Sequence, residues 1–162
     1  MRRNHILAFV VCLLVATLAL AQAGDAKAKE AKKPAAKGAV IWPAADLKWV
    51  DVAGGPPGVK MAPLWGDYTK GPYGGIQKFP AGFSAPLHTH SYDMHIVVIS
   101  GTFLHTPEGK PTVKLPAGSY LLQPAHYRHS TGCDAGAECV FFLEGKGKFD
   151  IKIVDEKAPA KK

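Results

Sequence analysis

Gly82-Phe-Ser-Ala-Pro-Leu-His-Thr-His-Ser-Tyr-Asp-Met-His-Ile-Val-Val-Ile-Ser-Gly101 holds His88, His90 and His95, three of the seven histidines in the chain. His88 and His90 are two residues apart. On a β-strand, side chains two apart point to the same face. Two imidazoles on one face, followed by the apolar run Ile96-Val-Val-Ile99, are the start of a metal site inside a sheet or barrel. A second stretch, Gly118-Ser-Tyr-Leu-Leu-Gln-Pro-Ala-His-Tyr-Arg-His129, supplies a further histidine at its end.

The surrounding sequence repeats a short-strand pattern. Ile76 to Phe79, Leu87 to His90, His95 to Leu104, Thr112 to Leu115, Ser119 to Gln123, Cys139 to Leu143 and Phe149 to Val154 are rich in β-branched and aromatic residues. Glycine and proline separate them, as at Pro80-Ala-Gly82 and Pro116-Ala-Gly118. No amphipathic helix is legible. The fold class is all-β, a sandwich or barrel. Ala39 to Tyr73 holds all three tryptophans among frequent Pro and Gly, and reads as short strands and turns. Core packing is the expectation for each tryptophan, with a stacking role in a ligand site as the alternative for Trp65.

The first 23 residues read as a secretory signal peptide. Arg2 and Arg3 precede an apolar run from Ile6 to Leu20, and Ala21-Gln-Ala23 supplies a small-residue cleavage site before Gly24. The run is short for a bilayer span, which needs about 20 residues. Residues 24–38 contain Lys, Ala and Glu without a large apolar side chain and read as a disordered tether. Residues 39–154 form the expected folded domain and residues 155–162 a solvated tail. The chain is formally +7, yet residues 39–154 carry ten Lys and Arg against nine Asp and Glu. The basic excess lies in the leader and tails. A nucleic-acid domain would carry it as a patch on the fold, so nucleic acid is excluded as a partner, as is stable membrane insertion. The expected location is periplasmic or secreted.

At its two histidine stretches the chain resembles the cupins. Their first motif is a glycine, five residues, His-x-His, three or four residues, a glutamate, six residues and a glycine; Gly82, His88-Thr-His90 and Gly101 match. Their second is a glycine, five residues, Pro-x-Gly, two residues, a histidine, three residues and an asparagine; Gly118, Pro124 and His129 match, with His126 at the glycine and Cys133 at the asparagine. The resemblance implies a single jelly-roll β-barrel over residues 39–154. It implies one divalent metal, zinc, iron, nickel, manganese or copper, held by His88, His90 and His129. The glutamate is missing in either register: Met94 takes its place by one spacing and His95 by the other. These two neighbours face opposite ways unless a bulge intervenes. His95 is the chemically competent candidate for a fourth ligand. A triad of imidazoles should bring ring nitrogens within about 3–4.5 Å of one another.

His126 is a candidate for bonding a ligand or moving a proton, or a loop side chain filling space. His105, before Thr106-Pro-Glu-Gly109, is expected at a solvent-exposed outer turn. Cys133 and Cys139 flank the turn sequence Asp134-Ala-Gly-Ala-Glu138, a spacing that predicts a disulfide in an oxidising compartment. The sequence thus points to an exported metal-binding module that binds or senses a small molecule. The alternative is a metal-dependent dioxygenase, isomerase or hydrolase, since cupins host both. The resemblance also implies homodimerisation.

Overall fold

Eleven short strands, all paired antiparallel, build two sheets in the computed structural model, which describes residues 38–52 and 54–155. The strands are β1 (Val50–Asp51), β2 (Lys60–Gly66), β3 (Tyr73–Phe79), β4 (Ser84–Thr89), β5 (Met94–Ser100) and β6 (Thr102–Pro107). They continue with β7 (Val113–Pro116), β8 (Tyr120–Gln123), β9 (His129–Cys133), β10 (Cys139–Gly145) and β11 (Lys152–Ile153). The six-stranded sheet runs β1-β2-β3-β10-β5-β8, and the five-stranded sheet runs β11-β4-β9-β6-β7. The only helical element among the described residues is a single 3-10 turn, Ala44–Asp46. The all-β expectation holds. The leader, most of the tether and nearly all of the C-terminal tail lie outside the described residues.

The expected strand from His95 to Leu104 is two strands in different sheets. Gly101 makes the break: its φ is 75°, and a Cβ there would sit 2.4 Å from the Glu138 carbonyl oxygen. Only glycine fits such a left-handed, crowded corner. The expected strand over Phe149 to Val154 is reduced to Lys152–Ile153. The remainder of that segment is tied down by single bonds, Phe149 N–H to the Tyr68 carbonyl and Val154 N–H to the Leu87 carbonyl.

Between the sheets lies an aromatic core. Phe79, Phe103 and Phe141 pack at ring-centroid distances of 4.9, 5.0 and 5.8 Å. Ile96 and Val98 of β5 and Leu143 of β10 complete it, buried by strict alternation with outward neighbours. At one end the Cys133–Cys139 disulfide joins β9 to β10, and hence one sheet to the other, with Cα atoms 5.8 Å apart. The tryptophans are outside this core. Trp42 and Trp65 are exposed, Trp65 lying against Phe142, and Trp49 sits under the Lys78 ammonium. The outer sheet surface, which has little competing bulk at Gly74, takes the indole of Trp65 instead.

Candidate metal centre

Four inward positions on the five-stranded sheet and its turn carry imidazoles. His88 on β4 and His129 on β9 are direct cross-strand partners, with ring centroids 4.2 Å apart. Strand β4 reaches this register through a bulge. Ala85 pairs with Thr131 and His88 with His129, so three steps on β4 match two on β9. Ala85 and His88 are an odd number apart, yet both are buried and face the cavity, because the extra residue resets the alternation. Pro86 lies in the bulge, where its missing N–H costs no ladder bond. Beyond the end of β4, His90 follows on the same face. Its ring centroid is 4.9 Å from that of His88 and 5.4 Å from that of His129. One nitrogen from each of the three comes within 4.8 Å of the others, a limit slightly wider than the expected spacing.

Each ring is held by its Nδ1. His88 Nδ1–H donates to the Pro86 carbonyl at 2.6 Å and His129 Nδ1–H to the Tyr127 carbonyl at 2.9 Å. His90 Nδ1–H donates to the Asp150 carbonyl. A carbonyl can only accept, so Nδ1 carries the proton and Nε2 keeps its lone pair. This is the arrangement by which neighbouring groups fix the tautomer of metal-ligating histidines. His129 Nε2 is buried and has no hydrogen-bond partner. An unpaired acceptor in that position fits a cation. Burial also keeps the rings neutral. It lowers His88 and pushes His90 down to about 4 and His129 to about 3, the bonds to the carbonyls opposing the shift in each case.

His95 is not in this group. No bulge interrupts β5 between Met94 and Val97: Met94 pairs with Gln123 and His95 with Leu122 without a break. Met94 is therefore buried beside the cavity, and His95 points to the outer face, where its ring bonds the Tyr120 hydroxyl at 2.8 Å. His126 is exposed and has φ 62°, which accounts for a glycine being usual in that place; its N–H donates to the His90 carbonyl at 2.8 Å.

The fourth inward imidazole is His105, a correction to its expected place at an outer turn. Strand β6 continues through Pro107, so Phe103 and His105 both face inward. The His105 ring is 5.3 Å from that of His129, its Nδ1 is buried without a partner, and burial lowers its pKa.

The centre opens into an apolar cavity of about 100 Å³. Phenylalanines of both sheets line it, with Gln77, Gln123 and Thr131 as its other polar side chains. Among the described residues that line it there is no Asp, Glu, Lys or Arg. Asp150 lies behind His90, whose Nδ1–H its carbonyl accepts. Burial would raise its carboxyl, but bonds from Ser91 N–H (2.8 Å) and Ser91 Oγ (2.6 Å) outweigh that and hold it below the ordinary value.

A family described as a domain of unknown function, DUF4437, matches residues 18–152. The chain belongs to this family. Among solved structures it is similar to the polyketide cyclase RemF from Streptomyces resistomycificus, at 18% identity and TM-score 0.60, over 72% of this chain and 86% of that one. It is similar to an RmlC-like cupin protein from Ralstonia eutropha, at 22% identity and TM-score 0.59, over 74% of each chain. KdgF from a Halomonas species is a third, at 21% identity and TM-score 0.54, over 67% of this chain and 94% of that one. The likeness establishes a cupin fold. No curated protein matches the chain by sequence.

Proposed function

We propose that this DUF4437 protein is an exported cupin that holds one divalent metal through His88, His90 and His129 and binds or senses a small molecule in the adjoining cavity. The observation that carries the reading is the set of three buried, neutral imidazoles, each with Nδ1 committed to a carbonyl. Such rings offer Nε2 to a metal without competition from protons at neutral pH. The metal would supply a Lewis-acid centre for an oxygen or nitrogen of the bound molecule. Among the described residues that line the cavity, the titratable side chains are the three proposed ligand histidines, with no Asp, Glu or Lys beside them, which supports binding or sensing over catalysis. Export is supported by the disulfide and by the leader pattern. Dimerisation has a ready surface in Val97, Ile99, Tyr120 and Leu122, exposed on β5 and β8.

One observation favours a second reading, a metal-dependent enzyme. Three protein ligands leave coordination positions open, as catalytic sites do, and one similar structure is that of a cyclase. The test common to both is metal analysis of purified protein after reconstitution with zinc. One ion per chain is expected, lost in His129→Ala while the β-rich circular dichroism spectrum is kept. Wild-type protein that takes up no metal, or His129→Ala that keeps it, refutes the centre.

A further inference from the structure

Gln123 is a cavity-lining polar group that the metal centre leaves unexplained. It ends β8, is 1% exposed and lines the cavity. Neither its Nε2 nor its Oε1 has a hydrogen-bond partner. A buried primary amide has two donors and an acceptor, and leaving all of them unmet inside a protein is costly. A nearby cation could satisfy the oxygen, but it could not accept from the NH₂ group. The unmet donor calls for an acceptor on a bound molecule.

The rest of the lining states what else that molecule must be. Phe79, Phe103, Phe141, Phe149 and Leu143 present rings and methyls to the cavity. At about 100 Å³ the cavity is smaller than the ~150 Å³ apolar cavities that bind benzene, which limits its occupant to a single small ring. With no Lys or Arg among its described lining residues, the metal-free cavity offers no protein cation to a phosphate or a poly-carboxylate, and burying such a charge unpaired is prohibitive. We infer that the cavity selects a small, uncharged, ring-containing molecule whose polar edge carries both a hydrogen-bond donor and an acceptor, and that Gln123 is the residue that reads this edge. A primary amide, an oxime or an enolised carbonyl has such an edge and forms two reciprocal bonds with a glutamine side chain. The inference rests on the small-molecule half of the proposed function and is independent of the metal.

Benzamide is the probe, with toluene as its apolar counterpart and glucose 6-phosphate as the charged one. Each is titrated into the full-length protein by calorimetry, zinc-loaded and zinc-free, alongside Gln123→Met. Benzamide is expected to bind, and Gln123→Met to weaken it by about tenfold or more, with toluene binding unchanged and zinc content unchanged. Should the variant not fold, the ¹⁵N side-chain amide resonance of Gln123 in the wild-type protein decides: it shifts on adding benzamide if Gln123 makes the contact. Absence of benzamide binding, equal binding by Gln123→Met, an unmoved amide resonance or preferential binding of glucose 6-phosphate by the zinc-free protein overturns the inference. Zinc uptake without benzamide binding defeats this inference and leaves the metal centre standing. Benzamide binding that depends on Gln123 in protein that takes no zinc does the reverse.

Discussion

Acidifying the metal-free protein should destabilise it in a pH window where its lowered carboxylates add little pH dependence. His90 and His129 have folded pKa values near 4 and 3, against an ordinary 6.5. Between those values and 6.5 the unfolded chain takes up protons that the folded chain refuses. The stability these neutral rings permit is therefore present above about pH 6.5 and is lost progressively as pH falls toward the folded values. At about pH 5 each unfolded imidazole is almost fully protonated and each folded one almost not at all. That difference is about 1.5 pH units, or about 2 kcal/mol per ring at 1.36 kcal/mol per unit, and about 4 kcal/mol for the two. His88 and His105, also lowered by burial, act in the same direction. The stability that the lowered carboxylates Asp67, Asp134, Glu144 and Asp150 supply is present throughout this window and is lost only below their unfolded values of 3.8 to 4.5. A small domain has roughly 5–15 kcal/mol in total, so the loss is a large share of it. Urea titrations in EDTA, followed by tryptophan fluorescence at steps from about pH 7.5 to 5, measure it directly. An unfolding free energy flat to within about 1 kcal/mol over that range would refute the picture of buried, neutral rings.

Three further outcomes follow from the geometry. Replacing both Cys133 and Cys139 by serine should cost about 2 kcal/mol by the chain-entropy account, read as a lower urea midpoint than that of the oxidised wild type; an equal midpoint counts against a stabilising bridge. Gly101→Ala must force a Cβ against the Glu138 carbonyl in a left-handed corner, so it should destabilise by about 2 kcal/mol or more, whereas the same change at a compatible backbone position stabilises by about 0.4–1 kcal/mol; a loss below about 1 kcal/mol would mean the corner relaxes freely. His95→Ala should leave zinc content unchanged, because that ring bonds Tyr120 on the outer face, and loss of zinc in this variant would return His95 to the centre.

Much of the centre was legible because it depends on period and spacing. His88 and His90 share a face by strand alternation, and the two glycine frames announced His129. The choice between Met94 and His95 was also within reach. Met94, Ile96 and Val98 make an apolar alternate row, which places His95 outward unless a bulge intervenes. His105 was missed because Thr106-Pro-Glu-Gly109 reads as a turn, whereas β6 runs on to Pro107 and extends the inward row begun by Phe103. Counting by two from Phe103 would have found it. Gln123 was hidden for the same reason, as a polar residue before Pro124 reads as a strand end. The bulge at Pro86 had no sequence signature beyond the proline itself. The strand pairings that place β4 beside β9 and β5 beside β10 arise from contacts distant in the chain, on which local pattern is silent.

The anchors of the three imidazoles differ in their distance along the chain, and that sets an order of assembly. His88 and His129 each lean on a carbonyl two residues upstream, so their orientations are settled as soon as their own strands form. His90 leans on Asp150, sixty residues later, in a segment that also clasps Ser91 and meets Leu87. During synthesis two arms of the site can be set while the third still awaits the end of the domain. A product cut short before Asp150 would keep all three histidines and still lack the third orientation. If the proposed metal binds there, tight uptake would report that the polypeptide has been made through Asp150.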